Sequence, residues 1–207
     1  MKLELLDWKR QIAELYARVR HAPDHAAAWR EWREVRDGLF AQHPESPLDP
    51  TARAHFEGLD YFDYDPEVRV LAAVEPAEPA AIEIPVSRGE TDRFTRFGHA
   101  RFELYGEPRS LGIYWLEGYG GGAYLPFADA TSGDTTYGAG RYLLDTVKGA
   151  DLGAEGERLV LDFNFAYNPS CAYDPRWACP LAPLENRLPV AVRAGERNVW
   201  RSEPLQA

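Results

Sequence analysis

The chain has 207 residues, 45% of them hydrophobic and 13% aromatic, which is enough to fill a sizeable core and excludes disorder as its main state. Its 33 acidic against 23 basic residues give a net charge of -10, which opposes binding to phosphate backbones or anionic lipid, so neither nucleic acid nor membrane is an expected partner. Glu4 and Asp7 break the first apolar run, no segment has the uncharged length of a bilayer span, and two cysteines do not make a disulfide framework, so a soluble, cytoplasmic protein with free thiols is expected.

Residues 2–20 carry Leu5, Trp8, Ile12, Leu15, Tyr16 and Val19 at the three-and-four spacing of an amphipathic helix. Asp24 reads as the N-cap of a second helix with the stripe Ala28, Trp29, Trp32, Val35 and Leu39, stopped by His43-Pro44-Glu45-Ser46-Pro47. Asp49-Pro50 opens a short third helix to Phe56, with Gly58 beyond its end.

From Val68 the period changes to two. Strands are predicted over 68–74, 81–86, 93–97, 100–105, 110–116, 123–126, 141–146, 159–165 and 188–193. Gly98-His99 and Gly106-Glu107-Pro108 read as hairpin turns, Gly118–Gly122 as a loop, and Glu75–Pro79 as a connection. The expected fold is α+β, an N-terminal helical hairpin over 1–60 packed on an antiparallel β-barrel or strongly curved β-sheet over 61–207, the two making one folding unit.

Alternation over 158–166 puts Asp162 and Asn164 on one face of a strand, two residues apart. A buried Asp162 needs a cation or several donors, and Arg141 is the nearest suitable cation in sequence. These three residues either tie strands and loops together or form a pocket, with Asp162 and Asn164 as its polar wall and Arg141 as an anion anchor. Asp129, Tyr137, Tyr167 and Asn168 would line its mouth. Asp129, Thr131 and Thr135 flank Ser132-Gly133-Asp134, where their side chains serve a tight turn or hold an anionic ligand.

Gly138-Ala139-Gly140 lacks the third glycine of a dinucleotide fingerprint, and no Walker loop, zinc-protease pair or nucleophile elbow occurs. Cys171 and Cys179 have no nearby histidine, so no metal site is assigned; buried structural thiols are the expected state. A disulfide here would stabilise by about 2–3 kcal/mol, but only in an oxidising compartment.

The blocks Pro126-Phe127-x-Asp129-x-Thr131-x-Gly133, Thr136-Tyr137-Gly138-Ala139-Gly140-Arg141-Tyr142-Leu143 and Leu161-Asp162-Phe163-Asn164-x-Ala166-Tyr167-Asn168-Pro169-x-Cys171-Ala172-Tyr173 resemble the prokaryotic family of domain of unknown function 1684 (DUF1684). Cys179-Pro180, Pro183, Asn186 and Ala194-Gly195-Glu196 belong to the match, as do His43-Pro44-x-Ser46-Pro47-Leu48 and Phe56-x-Gly58-Leu59-x-Tyr61-Phe62. The resemblance implies a soluble bacterial or archaeal protein and supplies no activity, cofactor or catalytic residue.

The leading expectation is a small-molecule-binding domain whose polar pocket takes an anionic or polar ligand. Its rivals are a hydrolase or transferase using Cys171 as nucleophile or Asp162 as general base, and a flavin-binding split barrel with Arg141 and Thr131 or Thr135 on the phosphate. The last is a partner-binding protein presenting Trp8, Trp29 and Trp32.

Overall fold

The structure, a computed structural model, describes residues 2–198; residues 199–207 of the expected β-rich part lie outside them. Three helices come first: α1 (Lys2–His21), α2 (His25–Gln42) and the single-turn α3 (Pro50–Ala54). Asp24 caps α2 by accepting from the Ala27 amide at 2.9 Å, and Asp49 caps α3 from the amides of Thr51 and Ala52. No helix among the described residues is long and apolar enough to cross a membrane.

Seven strands follow: β1 (Arg69–Pro85), β2 (Thr91–Leu104), β3 (Glu107–Leu116), β4 (Gly122–Phe127), β5 (Arg141–Asp145), β6 (Ala154–Glu155) and β7 (Arg158–Asp162). They form one antiparallel sheet of order β5-β4-β3-β2-β1-β7-β6. Its edges, β5 and β6, do not pair, so the expected closed barrel gives way to an open sheet.

Two pairs of predicted strands are each one long strand. The Glu75–Pro79 connection runs inside β1, where pairing with β2 jumps from Pro76–Gly98 to Ala80–Arg96. Pro76 and Pro79 have no N–H for a ladder, and the strand accommodates them in this irregularity, beyond the reach of β7. Gly98 is therefore not a hairpin turn. A Cβ there would stand 2.9 Å from the Glu75 carbonyl oxygen, so the glycine permits close approach of two backbones. The turn predicted at Gly106 does form, with both Tyr105 and Gly106 at positive φ. The strand predicted over 188–193 does not, because Pro189 interrupts it; the segment instead follows residues 128–130 through the Leu188 to Ala128 and Ala130 to Val190 backbone bonds.

Alternation along the strands divides the core. Tyr114, Tyr124 and Tyr142 pack in one cluster with Leu15, Tyr16, Trp29 and Trp32 of the helices. Leu111, Ile113, Leu125, Phe127 and Leu161 pack in another with Leu188, Val192 and Ala194 of the C-terminal segment. Trp29 and Trp32 are 5% and 0% exposed, so the tryptophan face proposed for a partner is the seam between helices and sheet.

Candidate functional site

Arg141 begins β5 and is 1% exposed. Its guanidinium donates to Asp129 at 2.8 Å and to the carbonyls of Val192 (3.0 Å), Glu196 (3.2 Å) and Ala194. The other Asp129 oxygen accepts from the Thr131 amide and hydroxyl. Thr131 also bonds Thr136, so Asp129 and Thr131 organise the turn after β4. The Arg141–Asp162 pair expected from the sequence is corrected: Arg141 ties that turn to the C-terminal segment. Neither Arg141 nor Thr131 is arranged around a phosphate.

Asp162 and Asn164 do not project side by side from a strand either. β7 ends at Asp162, whose Oδ1 accepts from the Asn164 amide at 3.0 Å and from Asn164 Nδ2 at 2.8 Å, capping a 3-10 turn over Phe163–Phe165. Asn164 is fully engaged: its Oδ1 accepts from the Asp65 amide and its Nδ2 donates to the Asp65 carbonyl. Its own carbonyl accepts from the Trp29 indole.

The second Asp162 oxygen is different. It has no hydrogen-bond partner among the described residues, although the side chain is 2% exposed. Asp162 lines a groove of about 300 Å³ between the end of α1, the start of α2 and the β1–β7–β6 edge. Val19, Ala28, Val160 and Phe165 supply apolar wall; Arg20, His21, His25 and Arg69 supply basic groups. Arg69 pairs with Glu155 at 2.5 Å, and Arg20 donates to the Asp151 carbonyl at 2.6 Å. Burial pushes the Asp162 carboxyl above its usual range; its bonds from Asn164 and the charges of Arg69 and His25 pull the other way.

Tyr167 and Asn168 lie elsewhere, lining a cavity of about 70 Å³ with Trp8, Tyr16, Arg36 and Tyr173. Glu196 organises that region. It accepts from Arg36 at 2.8 Å, from the Asn168 amide at 3.1 Å and from Tyr173, and is 1% exposed. Burial pushes its carboxyl up, against Arg36 and these donors.

Cys171 and Cys179 adjoin each other. The Cys171 amide donates to the Cys179 sulfur at 3.3 Å, and the Tyr137 hydroxyl stands 3.6 Å from the Cys171 sulfur. Tyr137 is therefore a neighbour of Cys171 and lines neither the groove nor the smaller cavity. No three His, Cys, Asp or Glu side chains come together as metal ligands among the described residues.

The sequence blocks that build these features are also those that identify relatives. The family model described as protein of unknown function (DUF1684) matches residues 54–197, which carry the whole sheet, Asp129, Arg141, Asp162 and Glu196. The chain belongs to the DUF1684 family. An uncharacterized protein of Haloarcula marismortui, known from a solution NMR structure, is 38% identical to it over 83% of this chain and 92% of that one, with a TM-score of 0.60. No curated protein matches the chain.

In this DUF1684 protein the site residues are not those adjacent in sequence. Arg36, Arg69, His25 and Glu196 had no part in the expected pocket. Arg36 left a legible signal, since it falls between Trp32 and Leu39 on the buried stripe of α2, where an apolar residue belongs. His25 and Arg69 left none, because only the packing of α2 against β1 brings them together.

Proposed function

We propose that the protein is a cytoplasmic small-molecule-binding domain, and that its site is the groove at Asp162. One observation carries the reading: a buried carboxylate oxygen without a partner among the described residues, on the wall of a groove lined also by Arg20, His21, His25 and the Arg69–Glu155 pair. Leaving such an oxygen unpaired costs about 1–3 kcal/mol, a cost a ligand's hydrogen-bond donor removes. The ligand class follows from the two halves of the groove. An ammonium or hydroxyl group meets Asp162, and a carboxylate or phosphate on the same molecule meets the basic rim of Arg20, His21 and His25. The apolar wall takes a short hydrocarbon portion between them.

Thermal unfolding against a panel of amino acids, hydroxy acids and sugar phosphates tests this. At least one class raises the melting temperature of the wild type, since a ligand at a hundredfold its Kd stabilises by about 2.7 kcal/mol. Asp162→Asn loses most of that rise. An unresponsive wild type, or a variant that responds equally, counts against the groove.

A further inference from the structure

Cys171 and Cys179 flank the segment Ala172–Ala178, and both are held from outside it. Cys171 lies in the 3-10 turn Ser170–Ala172; Cys179 precedes Pro180, which bridges to Val86 at the end of β1. The Cys179 amide donates to the Ser87 hydroxyl at 3.2 Å. Between these anchors the Cys171 amide donates to the Cys179 sulfur at 3.3 Å, and the Tyr137 hydroxyl stands 3.6 Å from the Cys171 sulfur. Inert core thiols sit among apolar side chains. These two adjoin each other with a polar hydrogen at each sulfur, the Tyr137 hydroxyl at Cys171 and the Cys171 amide at Cys179, a surrounding that favours a thiolate.

We propose that Cys171 and Cys179 form a dithiol that reduces a small hydroperoxide and closes to an intramolecular disulfide. Cys171 is the attacking sulfur and Cys179 the resolving one. In the first step the Cys171 thiolate attacks one peroxide oxygen: an S–O bond forms, the O–O bond breaks, and the departing oxygen takes up the proton Cys171 had released, leaving as an alcohol or water. In the second, the Cys179 sulfur attacks the sulfur of the Cys171 sulfenic acid. The S–S bond forms, the S–O bond breaks, and hydroxide leaves as water with the Cys179 proton. The two thiols are oxidised by two electrons in all, and the hydroperoxide is reduced by the same two.

The roles follow from the asymmetry of the pair. The Tyr137 hydroxyl stands beside the Cys171 sulfur and favours Cys171 as the attacking thiolate, with Cys179, the more enclosed of the two, as the resolving thiol. The neighbouring Cys179 thiol lowers the Cys171 thiol in the same direction, against burial, while its own is pushed up. Cys171 and Cys179 are 6% and 3% exposed, an enclosure that disfavours a bulky oxidant and leaves hydrogen peroxide as the substrate to test.

The test treats the reduced full-length protein with stoichiometric hydrogen peroxide, then alkylates the remaining thiols for peptide mass spectrometry. The expected product lacks both alkylation sites and contains a peptide pair joined through Cys171 and Cys179. Cys179→Ser stops at a sulfenic acid on Cys171, trapped by dimedone, and Cys171→Ser slows thiol loss at position 179 about tenfold. Two thiols still alkylated in the treated wild type overturn the proposal, whatever the variants do. Equally fast loss of Cys179 in Cys171→Ser overturns the assignment of the attacking sulfur.

Discussion

Arg141 and Asp129 form a wholly enclosed ion pair at 2.8 Å, twelve residues apart, with neither side chain more than 1% exposed. The pair joins the start of β5 to the turn after β4, and the remaining Arg141 bonds reach three carbonyls of the C-terminal segment. Its role is to fasten that segment along the sheet.

Removing one partner leaves the other charge buried and uncompensated. Asp129→Ala is expected to lower stability by about 3–5 kcal/mol, read by urea unfolding. A loss below about 1 kcal/mol means that the three carbonyls alone suffice for Arg141.

Asp162→Asn is expected to gain stability relative to wild type as pH rises. The amide oxygen can still accept from Asn164, and the ionisable group is removed from its buried position. Burial raises the Asp162 pKa in the native state above the ordinary 3.8. The native protein thus holds this proton more tightly than the unfolded chain does. The contribution is fully present below the unfolded value and is lost as pH rises through the raised native value. The variant lacks this decline, so the stability difference shifts in its favour from acid to neutral pH, read by urea unfolding at several pH values. A difference that stays constant over that range contradicts a carboxyl raised by burial.

Gly195 has φ +74°, and a Cβ there would stand 2.6 Å from the Ala166 carbonyl oxygen and 2.7 Å from that of Phe163. Gly89, with φ +83°, has nothing within 4 Å of the same position. Gly195→Ala is expected to cost about 2–4 kcal/mol and Gly89→Ala about 1 kcal/mol, the latter from backbone conformation alone. Similar losses at both positions, measured by thermal unfolding, count against the close packing of residues 163–166 on Gly195.

Asp24→Ala is expected to remove about 1 kcal/mol by leaving the Ala27 amide without its cap. Chemical denaturation measures it, and a neutral result means water replaces the side chain fully.

Local signals gave the helices. The Asp24 and Asp49 caps and the apolar stripes of α1 and α2 are written in consecutive residues, and the structure has them where spacing predicts. The strands were less legible because Pro76, Pro79 and Gly98 carry turn chemistry in the sequence yet sit within paired strands. What decides there is the fit of β1 against β2, which no single segment contains. The same limit governed the site. Alternation marks Asp162 as a buried acid, but the cation nearest to it in sequence, Arg141, pairs with Asp129 instead. The basic groups near Asp162 come from α1, α2 and the start of β1, far away in sequence. Asp129 reads either as a turn residue or as part of the pocket's mouth; it serves the turn, and its second oxygen holds Arg141, a contact no local signal marks.

The most direct measurement is an amide NMR titration of the labelled protein with whichever panel compound stabilises it most. The binding reading predicts shifts centred on Asp162, Arg69, His25 and the end of α1, absent in Asp162→Asn. Shifts centred instead on Tyr167 and Asn168, or persisting unchanged in the variant, would contradict it.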